Sequence, residues 1–480
     1  MSPSKPDRRT LLEALAAASA LGLAGCSSDG GESTAPETTD PDETPGTDTS
    51  VGTETADGEP SDGDGTGTEA LASAARTLVT RWADGEYEAM RAQFAASVRE
   101  QVSAEQLRRD WATITDETGA FVSVADTSAT TSRGYDVVVV TVRFRGGQQR
   151  FSVVFDDAGS VIGLRPVRTT EAYSPPAYAD QSTFAERSVT IRATDDCSLG
   201  ATFSVPDGEG SVPGVVLVHG SGPQDRDSTI GPNKPLKDLA WGLASRGIAV
   251  LRYDKRTAAC PVDPTEATLD SVVTDDAVAA VETLRNADRV RDDDVFVVGH
   301  SLGGMVAPRI ATRVDGLAGI AMLAAPARSF GTLFVAQTEY LVELDGTVTD
   351  AERARLAELR EQVERAQSGE MAADETILGG GRAWWESLGA YDQVETAAGL
   401  SRPTFVLQGG RDYQVDAEAD FGRWRDALGG RESVRFAEYP RLDHLFMPGE
   451  GPSRPADYDE PDNVAEGVVS DLADWIGRVA

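Results

Sequence analysis

The 480-residue chain predicts an α/β fold, a mostly parallel sheet with helices on both faces and a helical cap, preceded by a small α+β domain. Three observations carry this. Short apolar runs such as PGVVLVHG (213–220) and VFVVGHS (295–301) alternate with helical patterns from about residue 184 onward. Strands buried on both faces read as continuous apolar runs, and strand–helix alternation implies parallel crossovers. Before them, helical spacing gives way to four strand-like runs in a row, the pattern of a separate α+β unit. Finally, the alternation breaks between about residues 328 and 400, where an insertion at the strand ends forms a cap or lid.

The N-terminus reads as targeting. Lys5, Arg8 and Arg9 precede TLLEALAAASALGLA, an apolar stretch too short for a good membrane span. Arg8-Arg9 resembles a twin-arginine export signal and LAGC resembles a lipobox, which implies lipidation of Cys26. The expectation is a signal over 1–26 and a lipid anchor on the outer face of the cell membrane. A single lipid chain holds only marginally, so stable anchoring implies more than one chain. Residues 27–69, rich in Ser, Thr, Pro, Gly and acids, cannot bury enough apolar surface to fold and read as a disordered acidic tether.

The formal charge is −35, and only four of 44 basic residues are lysine (Lys5, Lys234, Lys237, Lys255). Such a balance excludes nucleic acid as a partner, since phosphates need cationic contacts. A lysine-poor acidic surface also suggests a halophile, because near 1 M salt the Debye length falls to about 3 Å and like-charge repulsion is screened. With Cys26 lipidated, Cys197 and Cys260 remain, either bridged or as two separate thiols.

In the small domain, expected over 70–168, EALASAARTLVTRWADGEYEAMRAQF and SAEQLRRDWATI have helical spacing. FVSVADTSA, YDVVVVTVRF, QRFSVVFD and VIGLRPV are the strands, and Trp82 and Trp111 are expected in the core. A linker spans 169–183. The larger domain (184–480) opens with an antiparallel pair, RSVTIRA and GATFSVP. It then alternates through the helix KPLKDLAWGLASRG, the strand IAVLRYD and the helix LDSVVTDDAVAAVETLRNA, and ends in VAEGVVSDLADWIGRV.

Ser301 lies in VFVVGHSLGGM (295–305), a G-x-S-x-G pattern between a buried strand and a helix. The pattern alone is weak; its strand-to-helix setting makes Ser301 a candidate nucleophile on a sharp turn. Gly299 and Gly303 permit close backbone approach there. The chain has three histidines. His300 is next to the serine, but consecutive side chains diverge at a sharp elbow, so it is expected to pack beneath it. His219 ends the first parallel strand and is expected to shape the loop that follows. His444, in YPRLDHLFM, follows the last strand and is the expected base. Asp412, after the strand PTFVLQGG, is the expected acid, with Asp416 and Asp420 as alternatives.

The order nucleophile, acid, histidine, together with HGSGPQDRD, LRYDKR, GHSLGG, LQGGRDYQV and DHLF, resembles serine esterases of the α/β-hydrolase superfamily over roughly 270 residues. The resemblance implies attack by Ser301 on an acyl carbonyl, proton transfer through His444 and orientation by Asp412. It places the oxyanion hole at the backbone N–H groups of Leu302 and Ser221, the latter in the His219-Gly220-Ser221 loop. Asp443 is a departure, standing where relatives often have Asn. The 70–168 stretch resembles the DUF3887 domain found ahead of secreted hydrolases. The expected substrate is a small acyl ester; an aminopeptidase-like peptidase, an acyltransferase, or a surface binding lipoprotein on an inactive scaffold are the alternatives. Asp225-Arg226-Asp227 and Asp254-Lys255-Arg256 are expected to form a salt-bridged scaffold rather than touch substrate, and Trp384 and Trp385 either wall an acyl pocket or pack the cap. No spacing of His, Cys, Asp or Glu fits a metal site, and no phosphate loop is present, so no metal and no cofactor are expected.

Overall fold

A computed structural model describes residues 65–99, 102–132, 135–145, 147–156, 158–167, 173–194 and 197–480. The stretch expected to be an export signal, Cys26 and the expected tether up to residue 64 lie outside these residues. The rest divides into two compact units meeting in sequence at Thr169 and Thr170.

The N-terminal unit contains α1 (Gly65–Ala83), α2 (Ala104–Thr118) and a meander of β1 (Phe121–Ser132), β2 (Tyr135–Phe144), β3 (Gly147–Phe155) and β4 (Val161–Val167). Helix α1 begins at Gly65, five residues inside the stretch that composition assigned to the tether. Ser103 starts α2 by accepting the Gln106 N–H, a cap that satisfies an otherwise orphaned donor. All four strands pair antiparallel in sequence order. In β2 the alternation is plain: Val138, Val140 and Val142 are fully buried beneath the helices. Trp82 and Trp111 belong to this core, their rings 5.2 Å apart, with the Trp82 indole donating to the Leu107 carbonyl at 2.8 Å.

The C-terminal unit is built on an eight-stranded sheet. Its strands are β5 (Phe184–Thr194), β6 (Cys197–Pro206), β7 (Val212–Val218), β8 (Ala249–Tyr253), β9 (Val290–His300), β10 (Gly319–Leu323), β11 (Thr404–Gly409) and β12 (Val434–Tyr439). Spatial order is β12-β11-β10-β9-β7-β8-β6-β5, parallel from β12 through β8, with β6 and β5 antiparallel at one edge. The α-helices of seven or more residues between strands are α3 (Pro235–Ala244), α4 (Asp275–Arg285), α5 (Leu302–Arg313), α6 (Phe330–Glu343), α7 (Asp350–Ser368), α8 (Arg382–Gly389), α9 (Gln393–Gly399) and α10 (Gly422–Leu428), and α11 (Glu466–Val479) closes the chain.

Strand β7 shows why these runs are continuously apolar. Val216 and Val218 face one core, with Leu284 of α4 and Val306 of α5. Val215 and Leu217 face the other, with Leu239 of α3 and Leu472 and Ile476 of α11. Both faces are covered, so no residue of the strand can be polar. The chain runs from β7 to β8 on one side and then crosses back to β9 on the other. That reversal opens a crevice beyond the carboxyl ends of β7 and β9, where such sheets bind ligands.

Residues between β10 and β11 form α6 to α9 rather than another strand–helix unit. Helix α7 carries a full capping box, Thr349 with Glu352. Helix α6 had no sequence-based expectation, yet it faces the crevice. Cys197 on β6 and Cys260 form a disulfide, which resolves the alternatives left open above.

Candidate active site

Ser301 sits on the turn from β9 into α5 with φ of 55°, a backbone conformation that non-glycine residues rarely adopt. The surroundings hold it there. Its N–H donates to the Leu323 carbonyl at 2.8 Å, and its carbonyl accepts from Met305 in the first turn of α5 at 2.9 Å. A Cβ on Gly299 would lie 2.2 Å from the Gly303 carbonyl oxygen, and one on Gly303 would lie 2.3 Å from that of Val218. The two glycines are therefore steric requirements of an elbow pressed against β7. Ser301 and Leu302 both line the cleft above.

His219 and Gly220 follow β7 and lead into the facing loop. His219 is 2% exposed and donates through Nε2 to the Tyr253 carbonyl. Burial pulls its imidazole down to about 4, so it is a neutral structural ring. A Cβ on Gly220 would come within 3.2 Å of Ser301 Cβ, a tight approach that would press the loop a few tenths of an ångström away from the elbow. Ser221 and Gly222 then line the same cleft as Ser301. Gln224 fastens the loop by donating to the Ser221 carbonyl at 2.9 Å.

His300 points away from the cleft. It is 8% exposed, and its Nε2 donates to the His444 carbonyl at 2.8 Å. Burial and the neighbouring His444 pull it down to about 3. The two rings lie 4.7 Å apart, so the histidine beside the serine ties the elbow to the loop that carries His444.

His444 Nδ1 lies 2.8 Å from Asp412 Oδ2. A carboxylate only accepts, so Nδ1 carries the hydrogen and Nε2 keeps a lone pair. The Asp412 carboxylate is fully enclosed and has four donors. Oδ1 accepts the Gln414 and Val415 backbone N–H groups at 2.8 and 2.9 Å, and Oδ2 accepts Gln408 Nε2 at 2.9 Å as well as His444. The other acids are committed elsewhere. Asp416 caps a helical turn by accepting the Ala419 N–H. Asp420 takes Arg328 and the Ala327 and Arg328 N–H groups. Asp443 accepts from Leu445 and Met447, and burial raises it to about 6.

The cleft, about 80 Å³, is walled mainly by carbon. Phe330, Leu333, Phe334 and Gln337 of α6 form one side, and Leu378 and Trp384 another. Trp384 thus walls the cleft, whereas Trp385 packs inward and donates to the Ile377 carbonyl at 3.1 Å. The α6 residues were missed in the sequence; the apolar run SFGTLFVA was the available signal. Of the two charged triplets, Arg226 pairs with Asp254, Asp227 with the buried Arg252, and Arg256 with Asp276, a scaffold. Lys255 breaks that pattern: it is 4% exposed and borders the cleft. Among the described residues, no group of His, Cys, Asp or Glu could hold a metal, and no helix is long and apolar enough to cross a membrane.

Comparison with known proteins adds the family. Residues 75–164 match a family described only as a protein of unknown function, DUF3887, and residues 215–467 match the alpha/beta hydrolase family. Esterase EstD of Thermotoga maritima is 36% identical over 380 residues, covering 79% of this chain and 89% of its own length. Among solved structures, an esterase of Pyrococcus furiosus aligns at 16% identity and a TM-score of 0.41, over 64% of this chain and 98% of its own. Est1E of Butyrivibrio proteoclasticus aligns at 17% and 0.40, over 61% and 98%. On the family match over more than half of its length and the extended identity to EstD, the chain belongs to the alpha/beta hydrolase family, with a DUF3887 domain ahead of the hydrolase unit.

Proposed function

We propose that the protein is an exported serine hydrolase that cleaves small carboxylic esters through a covalent acyl-enzyme on Ser301. The observation that carries this reading is the fully enclosed Asp412–His444 hydrogen bond, in a loop tied through His300 to the strained turn of Ser301. Ester hydrolysis as the reaction class is supported by the likeness to Esterase EstD.

In this mechanism the Ser301 hydroxyl attacks the ester carbonyl while His444 Nε2 takes its proton. The tetrahedral oxyanion is met by the N–H of Leu302, at the start of α5, and by that of Ser221; each such donor is worth about 3 kcal/mol of barrier. His444 returns the proton to the departing alcohol, leaving an acyl-serine. Water, deprotonated by His444, then attacks that acyl group and releases the acid. Asp412 keeps His444 in the productive tautomer and stabilises the imidazolium. The apolar walls from α6, Leu378 and Trp384 take the acyl chain.

The cellular setting in this proposal rests on sequence. Arg8-Arg9 and LAGC support export and a lipid anchor at Cys26 on the outer face of the membrane, and the acidic, lysine-poor composition supports work in high salt.

A panel of nitrophenyl esters and aminoacyl amides, run in high salt with wild type and Ser301→Ala, tests the reaction. Ester turnover lost in Ser301→Ala supports it; turnover that persists refutes it, and amide turnover far above ester turnover makes the enzyme a peptidase. For the anchor, a Cys26→Ser variant still retained in the membrane fraction removes the lipoprotein reading.

A further inference from the structure

Lys255 is the one lysine of the DKR triplet, and its neighbours behave as a scaffold while it does not. Asp254 and Arg256 are taken up by Arg226 and Asp276. Lys255 Nζ donates instead to the Gly220 carbonyl at 2.7 Å, deep beside the cleft that Ser221, Ser301 and Leu302 line. The Lys255 backbone N–H donates at 3.0 Å to the carbonyl of Gln224, the residue that fastens Ser221, so main chain and side chain grip one loop.

The peptide unit matters here. The Gly220 carbonyl and the Ser221 N–H belong to the same planar amide and point in opposite directions across it. An ammonium on the carbonyl fixes the orientation of that amide. It also draws electron density toward the oxygen, which makes the N–H on the far side a stronger donor, since hydrogen-bonded chains polarise one another. The bond is charge-assisted below about pH 7, where Lys255 is an ammonium, and a neutral N–H to carbonyl bond above it. Burying a lysine this completely is costly, and burial pulls Lys255 down to about 7, with Asp276 partly offsetting the effect. A chain with four lysines keeps one where a neutral side chain would sit at less expense.

We propose that Lys255 is a positioning residue for the oxyanion hole: by binding the Gly220 carbonyl it orients and strengthens the Ser221 N–H that meets the tetrahedral oxyanion. The role rests on the serine-esterase mechanism proposed above. It extends that mechanism to a side chain that binds the Gly220 carbonyl and acts on the Ser221 N–H through one peptide bond. Because the oxyanion forms only in the transition state, loss of Lys255 lowers kcat and leaves ground-state binding alone.

The test compares wild type with Lys255→Met, Lys255→Gln and Ser301→Ala in the full chain. Methionine fills the space without donor or charge; glutamine restores a neutral donor. Three readouts are needed: kcat and KM on a short nitrophenyl ester, the affinity of a trifluoromethyl ketone that forms a hemiketal oxyanion on the serine, and the melting temperature. The expected result is kcat about tenfold to a hundredfold lower in Lys255→Met and intermediate in Lys255→Gln, KM within about threefold, and ketone affinity falling in step with kcat. A purely structural role would move the melting temperature or KM without this parallel. A folded Lys255→Met variant with kcat within about threefold of wild type, or with unchanged ketone affinity, overturns the proposal. If the methionine variant does not fold, Lys255→Gln decides by the same two criteria, with a loss of at least about threefold in kcat expected. Ester turnover surviving in Ser301→Ala would fell the underlying mechanism instead; an inactive Ser301→Ala beside an undiminished Lys255 variant removes only the role of Lys255.

Discussion

Asp412→Asn exposes the logic of the site because the structure dictates which way the new amide must face. Oδ1 of Asp412 receives two backbone N–H groups, from Gln414 and Val415, and these donors cannot rotate. The asparagine oxygen must therefore stay at that position, which puts its NH2 where Oδ2 was. There it meets two more donors, Gln408 Nε2 and His444 Nδ1–H. His444 can relieve the clash only by shifting its hydrogen to Nε2 and accepting through Nδ1. The nitrogen that should take the Ser301 proton is then already protonated. The expected loss is about 10³- to 10⁴-fold in kcat, about 4–5.5 kcal/mol of barrier, with KM little changed. Stability falls by a smaller amount, about 1 kcal/mol, since Gln408 Nε2 loses one acceptor but keeps the Val415 and Gly409 carbonyls. The assay is steady-state turnover of a short nitrophenyl ester at pH 8, with thermal melting in parallel. A folded Asp412→Asn variant retaining kcat within about tenfold of wild type would refute this assignment of the acid.

The neighbouring carboxylate should behave in the opposite way. Asp443 has its carboxyl raised by burial from 3.8 to about 6, a gap worth about 3 kcal/mol. In the unfolded chain it ionises near 3.8, so the penalty is absent below that pH, grows as pH rises, and is complete above about 6. Asp443→Asn should melt higher than wild type at pH 8 and lose the advantage by pH 4, with kcat retained; a pH-independent or negative change would contradict this. The Cys197–Cys260 bridge spans 63 residues, for which loop entropy gives about 4 kcal/mol, so mild reduction should lower the melting temperature by several degrees. No shift on verified reduction would exclude the bridge as a stabiliser. Leu378 holds φ of 49° while separating the cleft from a neighbouring hollow bounded by Arg355, Glu358 and Gln362. Leu378→Gly should relieve about 1–2 kcal/mol of backbone strain and shift the ester preference to longer acyl chains; an unchanged chain-length profile would show that Leu378 is no part of the wall.

How far the sequence could be read follows from what each feature depends on. The sheet was legible because β7 and the Val295–Val298 half of β9 are buried on both faces and so must be apolar. The site order was legible because a strand end precedes each of Ser301, Asp412 and His444. The exclusion of His300 followed from elbow geometry alone, yet its bond to the His444 carbonyl did not, since that joins loops 144 residues apart. Gln408 and Lys255 were hidden for the same reason: a glutamine inside a strand and a lysine in a charged triplet carry no local mark of what they touch. Pairing of Cys197 with Cys260 likewise needed β6 to be placed between β8 and β5. Helix α6 escaped because its apolar residues face both the cleft and the body, which blurs the one-sided spacing of an amphipathic helix.

The central claim is that Ser301 becomes covalently acylated and that His444, not His300, drives its turnover. Rapid-quench mass spectrometry of the enzyme with nitrophenyl acetate, followed by peptide mapping, tests it most directly. One acetyl group is expected on the peptide carrying Ser301, absent in Ser301→Ala, slow to form in His444→Ala, and formed by a folded His300→Asn variant. An acetyl group mapped to another residue, or full turnover by Ser301→Ala, would contradict it.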